Sequence, residues 1–140
     1  MWILFSLLAA LASSIVVTLS KMGIKHVDSS IAFAIQSICI LVVSWGVVIG
    51  QGTLSDVSRI DRKVWFYLIV AGIITCISSL LSFRALKLGD AARTSPLDKV
   101  SLVFTIVLAV IFLKEKVNGQ VIFGAVLMAA GAILIALARE

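Results

Sequence analysis

Five stretches of 18 to 21 residues carry almost no charge, and that pattern decides what the chain can fold into. The stretches are 1–20, 30–50, 64–83, 96–113 and 118–138, and of the 19 charged side chains only Asp98 and Lys99 fall inside them. A helix needs about 20 apolar residues to cross a hydrocarbon layer of about 30 Å. Each stretch is therefore expected to span a membrane. The expected fold class is an all-α membrane protein of five transmembrane helices, with its two ends on opposite sides. Composition agrees: 61% of the 140 residues are hydrophobic and 14% charged, against about 45–50% and about 25% in a water-soluble domain. A single proline and the lack of any low-complexity tract exclude collagen-like and disordered chains.

Ala10-Leu11-Ala12 has the small residues of a signal-peptide cleavage site, but no basic segment precedes it and four further spans follow. The first stretch is expected to stay as helix 1. Cys39 and Cys76 fall near the middle of helices 2 and 3, where they read as small hydrophobes; neither a disulfide nor a metal cluster is expected. The net charge of +5 comes from basic residues at helix ends, so the partner it implies is membrane lipid, with no nucleic acid.

Loop signals divide the spans. Ser29 or Ser30 can cap helix 2. The polar loop Gln51–Lys63 leads into Trp65 and Tyr67, at the depth where aromatic rings favour the interface. Arg84 and Lys87 give helix 3 a basic end before Gly89, a residue suited to a C-terminal cap. Ser95-Pro96-Leu97-Asp98 then reads as the opening of helix 4, with serine as N-cap, proline first and a carboxylate at the third position. The turn Lys114–Val117 precedes helix 5. No internal repeat is visible, so residues 1–140 are expected to form one domain.

No catalytic motif is present: there is no phosphate-binding loop, no dinucleotide fingerprint and no paired histidines, His26 being alone. The expected protein is not an enzyme and uses no cofactor or metal. Function must come from polar residues within the spans, and these form stripes. Ser14, Thr18 and Lys21 share a face of helix 1; Thr75, Ser78, Ser79 and Ser82 share one of helix 3; Asp98, Ser101 and Thr105 share one of helix 4; helix 2 adds Gln36 and Ser37. Such faces can line a solute path. They can equally let membrane helices approach and hydrogen-bond. Helix 5 carries a small-residue face of Gly124, Ala125, Ala129, Gly131, Ala132 and Ala136, which reads as a helix–helix or subunit interface.

Asp98 and Lys99 are the sharpest signal. Only 14 residues separate Lys99 from Lys114, about 21 Å of helix and too little to span, so helix 4 must take both charges into the bilayer. Asp98 either caps the helix or faces a cavity as the ion-coupling group, since ionisable residues within membranes mark ion and solute paths. Lys99 is expected to snorkel to the headgroups.

These residues resemble the EamA-type domain of the drug/metabolite transporter superfamily. The resemblance lies in the run Phe83 to Ala91 with its Ala85-Leu86-Lys87-Leu88-Gly89-Asp90-Ala91, in Ser95-Pro96-Leu97, in Leu113-Lys114-Glu115-Lys116, in the glycine-bearing last helix and in Lys21-Met22-Gly23-Ile24 at the end of the first. Two departures stand out. Lys114 occupies a place where the family commonly has glycine, and Leu102 follows Ser101 where many members have proline, which predicts a straighter helix 4. Small multidrug exporters are similar in size but have four helices and an acidic residue in the first; residues 1–20 hold none.

The resemblance implies solute transport across the cytoplasmic membrane, with substrate-binding candidates Ser14, Thr18, Gln36, Thr75, Ser79, Ser82, Asp98, Ser101 and Thr105. Most members carry two such domains, so a five-helix chain corresponds to one half of an inverted-repeat transporter and would complete it by antiparallel homodimerisation. One side holds five basic residues (Arg59, Arg62, Lys63, Lys114, Lys116) and the other six (Lys21, Lys25, Arg84, Lys87, Arg93, Arg139), or seven with Lys99. That small bias is compatible with dual topology. The rival reading is a non-transporting membrane subunit that assembles with a larger complex; a channel is disfavoured because no filter motif is present.

Overall fold

With no water in the bilayer core to satisfy exposed amides, a chain this apolar can cross only as helices that bond their own backbones. The computed structural model describes residues 1–138, and Arg139 and Glu140 fall outside it. It contains α1 (Trp2–Ile24), α2 (Ser29–Gly50), a 3-10 helix (Thr53–Arg59), α3 (Arg62–Leu88), α4 (Ala91–Asp98), α5 (Ser101–Phe112) and α6 (Gly119–Leu137), with no strand among the described residues. Five segments are long and apolar enough to cross a membrane: α1, α2, α3, the stretch Ala91–Phe112 that joins α4 to α5, and α6. The chain is an all-α, multi-pass membrane protein.

The chain divides into two compact units: Leu19–Lys87, and Met1–Thr18 together with the chain from Leu88 onward. In the first, α2 touches the 3-10 helix, and Phe33 of α2 meets Phe83 of α3 edge-on with ring centroids 5.5 Å apart. In the second, α6 lies against α4 and, less extensively, α5. Only Ile24, Leu86, Ala125, Ala132 and Ser29 are buried among the described residues. Apart from Ile24 and Leu86, most of the large apolar side chains face outward, which is stable where the surroundings are lipid rather than water.

One sequence expectation is corrected at the start of helix 2. Helix 2 is capped by Asp28, whose carboxylate accepts from the Ser30 amide at 2.9 Å; Ser29 is its first residue and is buried. The Ser30 amide holds the Asp28 carboxyl below the usual carboxylate range; desolvation opposes this and the Lys87 charge assists it. Helix 3 runs on to Leu88, with Arg84 and Lys87 in its basic end before Gly89 as the sequence leads one to expect. In the polar loop after α2, Gly52, at φ +69°, turns the chain into the 3-10 helix through a left-handed conformation that glycine adopts without steric cost.

The largest correction is in the fourth span. Its helix begins at Ala91, after an extended Asp90 whose carbonyl accepts from the Arg93 and Thr94 amides. Ser95 is therefore no cap and Pro96 lies inside α4. Proline lacks the amide that would bond four residues back, and its ring crowds that carbonyl. The backbone downstream tightens into three-residue steps, Lys99 N–H to Pro96 O and Val100 N–H to Leu97 O, both 3.1 Å, then Leu102 N–H to Lys99 O and Val103 N–H to Val100 O, both 3.0 Å. The span is jointed at Lys99-Val100 rather than straighter. At its far end Lys114 takes φ +55°, the one left-handed residue other than glycine among those described. There the chain folds back so that the Glu115 amide reaches the Ala109 carbonyl at 3.3 Å.

Candidate functional site

Each unit presents its own part of the polar surface. In the Leu19–Lys87 unit the Ser20 hydroxyl donates to Gln36 Oε1 at 3.4 Å, linking the last turns of α1 to α2. One residue on, Lys21 is half-buried and its Nζ donates to the Leu86 carbonyl of α3 at 2.7 Å. Lys87 returns the contact from α3, donating to the Val27 carbonyl of the α1–α2 connection at 3.1 Å. These reciprocal lysine bonds tie α1, the connection and α3 together at one end. On α3, Thr75 is exposed and bonds the Ala71 carbonyl at 2.8 Å, while Ser79 and Ser82 are half-buried.

In the other unit, Ser14 donates to the Leu11 carbonyl at 2.7 Å, Thr18 to the Ser14 carbonyl at 3.0 Å, and Thr105 to the Ser101 carbonyl at 3.0 Å. Ser101 opens α5 and is exposed. A hydroxyl that bonds its own helix leaves no orphan donor in lipid, yet keeps lone pairs to accept from a passing solute. Asp98 is the last residue of α4 and is exposed. It is not at the third position of a capped helix, so the capping explanation for its presence falls away.

The small-residue face of α6 points inward. Ala125 and Ala132 are buried and Gly124, Ala129, Gly131 and Ala136 half-buried, so this face serves as a helix–helix interface inside the chain. A Cβ built on Gly124 or Gly131 would meet nothing within 4 Å, so neither glycine is required by a close neighbour in the same copy. Among the described residues no group of three or more His, Cys, Asp or Glu side chains is placed to hold a metal ion. The Lys21 and Lys87 bonds were not foreseeable from the sequence, although Lys21 ends the polar stripe of Ser14 and Thr18 and Lys87 lies in the basic end of helix 3.

Against known families, the EamA-like transporter family matches residues 1–137. The chain belongs to this family. It is similar over 135 residues, at 38% identity and 96% of both chains, to a protein of a Sinorhizobium species named as an uncharacterized transporter in the cobO 3′ region. An uncharacterized protein of Methanocaldococcus jannaschii is 33% identical over 79 residues, 56% of this chain and 58% of its own. No solved structure matches the chain. As an EamA-like transporter the protein resides in the cell membrane and passes through it several times. The left-handed backbone at Lys114 is one that glycine would adopt without steric cost.

Proposed function

We propose that this EamA-like transporter moves a small metabolite or drug-like solute across the cell membrane by alternating access, as an antiparallel homodimer of dual topology. The observation that carries the reading is a transporter family matched over residues 1–137 in a chain with five candidate spans. An odd span count places the two ends of one copy on opposite sides. Two copies inserted in opposite senses then reproduce the inverted pair of repeats from which many secondary transporters are built. The near balance of basic residues between the two sides supports insertion both ways.

Ser14, Thr18, Gln36, Thr75, Ser79, Ser82, Asp98, Ser101 and Thr105 are the proposed solute-facing residues. Asp98 is the proposed coupling group: it is ionisable, lies within a span and adjoins the Lys99-Val100 joint. Intramembrane carboxylates commonly mark ion paths, and short 3-10 stretches within helices commonly mark hinges. The second copy is proposed to meet the half-buried borders of the small-residue face of α6, Gly124 with Gly131 on one side and Ala129 with Ala136 on the other, where the open space beside the two glycines allows close approach. Ala125 and Ala132, the rest of that face, are already used within one copy.

The test places a single cysteine after Glu140, with Cys39→Ala and Cys76→Ala, and labels it with an impermeant thiol reagent from each side. Labelling of about half the molecules from each side is the expected result, matching equal insertion of an evenly charged chain. Labelling from one side alone refutes the antiparallel homodimer and favours a subunit that depends on another chain.

A further inference from the structure

Charge is distributed unequally between the two ends of the Leu19–Lys87 unit. At the end where α1 and α3 finish stand Lys21, Lys25, Arg84 and Lys87 against the single carboxylate Asp28. That carboxylate caps α2 through the Ser30 amide and also acts on the Lys87 charge, which leaves this end with a net charge of +3 against +1 at the other. At the opposite end three basic residues, Arg59, Arg62 and Lys63, face two acidic ones, and Asp56 pairs with Arg59 at 3.9 Å. The first end is also built rather than merely charged. Lys21 and Lys87 are fixed by bonds of 2.7 and 3.1 Å to carbonyls on neighbouring segments, which places the Lys21 ammonium at the end of α3 and that of Lys87 at the α1–α2 connection. Arg84 precedes Lys87 by three residues on α3 and so adds a cation near a fixed one, and Lys25 stands in the turn directly after α1, both exposed.

We propose that this end of the unit is a binding site for the phosphate headgroup of an anionic phospholipid. The site lies where two membrane-spanning helices stop, at headgroup depth, and the apolar flanks of α1 and α3 below it are exposed to receive acyl chains. Ammonium and guanidinium donors suit phosphate oxygens, Arg84 by its planar fork and the lysines as point charges. Basic clusters between transmembrane helices hold anionic headgroups in this way.

The test compares lipid retention by the purified protein in nanodiscs of phosphatidylcholine doped with phosphatidylglycerol. Wild type is expected to retain phosphatidylglycerol in preference to phosphatidylcholine. Lys25→Gln with Arg84→Gln leaves both lysine–carbonyl bonds intact and is expected to cut that preference by roughly an order of magnitude or more, since each basic residue near the surface contributes about a factor of five. Arg62→Gln with Lys63→Gln, at the other end, is expected to leave it unchanged. Equal retention of the two lipids, or equal losses in the two double variants, overturns the assignment. Inorganic phosphate added to lipid-free protein in detergent is the second arm. A rise in the thermal midpoint matching that given by phosphatidylglycerol would make the occupant a soluble anion and would also overturn it.

Discussion

Replacing Lys114 with glycine should stabilise the protein, an unusual direction for the removal of a whole side chain. Lys114 holds φ +55°, where the Cβ of an ordinary residue crowds the following carbonyl at a cost of about 1–2 kcal/mol. Glycine has no Cβ but gives up about 0.5–1 kcal/mol more backbone entropy on folding. The difference leaves a gain of about 0.5–1 kcal/mol, or about two- to fivefold in the folding equilibrium. The Lys114 side chain is exposed, so little packing is lost with it. The assay is reversible unfolding in mixed micelles by titration with a denaturing detergent, comparing wild type with Lys114→Gly, Lys114→Ala and Lys114→Val. Glycine should raise the midpoint, alanine should leave it nearly unchanged, and valine should lower it because a β-branched residue is strained at positive φ. If glycine fell at or below alanine, the residue would not be left-handed and the account of the α5–α6 turn would be wrong.

Pro96→Ala restores an amide at the head of the Lys99-Val100 joint and should slow hydrogen exchange at those two residues; unchanged exchange would mean that proline does not cause the joint. Asp28→Ala should lower the unfolding midpoint while Asp28→Asn keeps it near wild type at neutral pH, since asparagine caps as well as aspartate. Because the folded Asp28 carboxyl is held below its ordinary value, any advantage of wild type over Asp28→Asn should be complete above that value and fade as pH falls through the folded pKa, and an advantage that grew on acidification would contradict the cap. Ala132→Phe should cost about 1–3 kcal/mol through overpacking inside one copy, read as a lower midpoint at every protein concentration. Ala129→Phe, at the half-buried edge, should instead weaken the dimer, and an intact dimer by light scattering would remove that edge from the interface. Asp98→Asn should impair transport in reconstituted vesicles while insertion stays normal; normal transport would take Asp98 out of the mechanism.

The spans were readable because charge is so expensive in lipid that its absence over 18 or more residues marks a helix almost unaided. Ends were harder, because several residues compete for each cap. Ser29, Ser30 and Asp28 are all good cap residues, and the choice among them depends on where the chain leaves Ile24, which is a buried tertiary contact. Ser95-Pro96-Leu97-Asp98 satisfies every local rule for a helix start, yet the alanines after Asp90 nucleate the helix a turn and a half earlier and carry the proline inside. Of the polar stripes, the hydroxyls of Ser14, Thr18, Thr75 and Thr105 bond back to their own helices, a use that spacing alone does not distinguish from facing a solute. The bonds of Lys21 to Leu86 and of Lys87 to Val27 cross 65 and 60 residues of sequence and leave no periodic trace in it.

The outward turn of nearly all the large side chains inverts the usual map of what a sequence tolerates. In a water-soluble domain the bulky apolar positions are the intolerant ones, and small residues are often interchangeable. In this chain a leucine such as Leu81 or Leu134 faces outward, and isoleucine, valine or phenylalanine should serve nearly as well. Ala125 and Ala132 have no such latitude, because neighbouring helices close on them. Among apolar substitutions, a mutational scan should accordingly find its deepest penalties at Ala125 and Ala132 of α6, and its flattest profile along the greasiest stretches of α1 and α2.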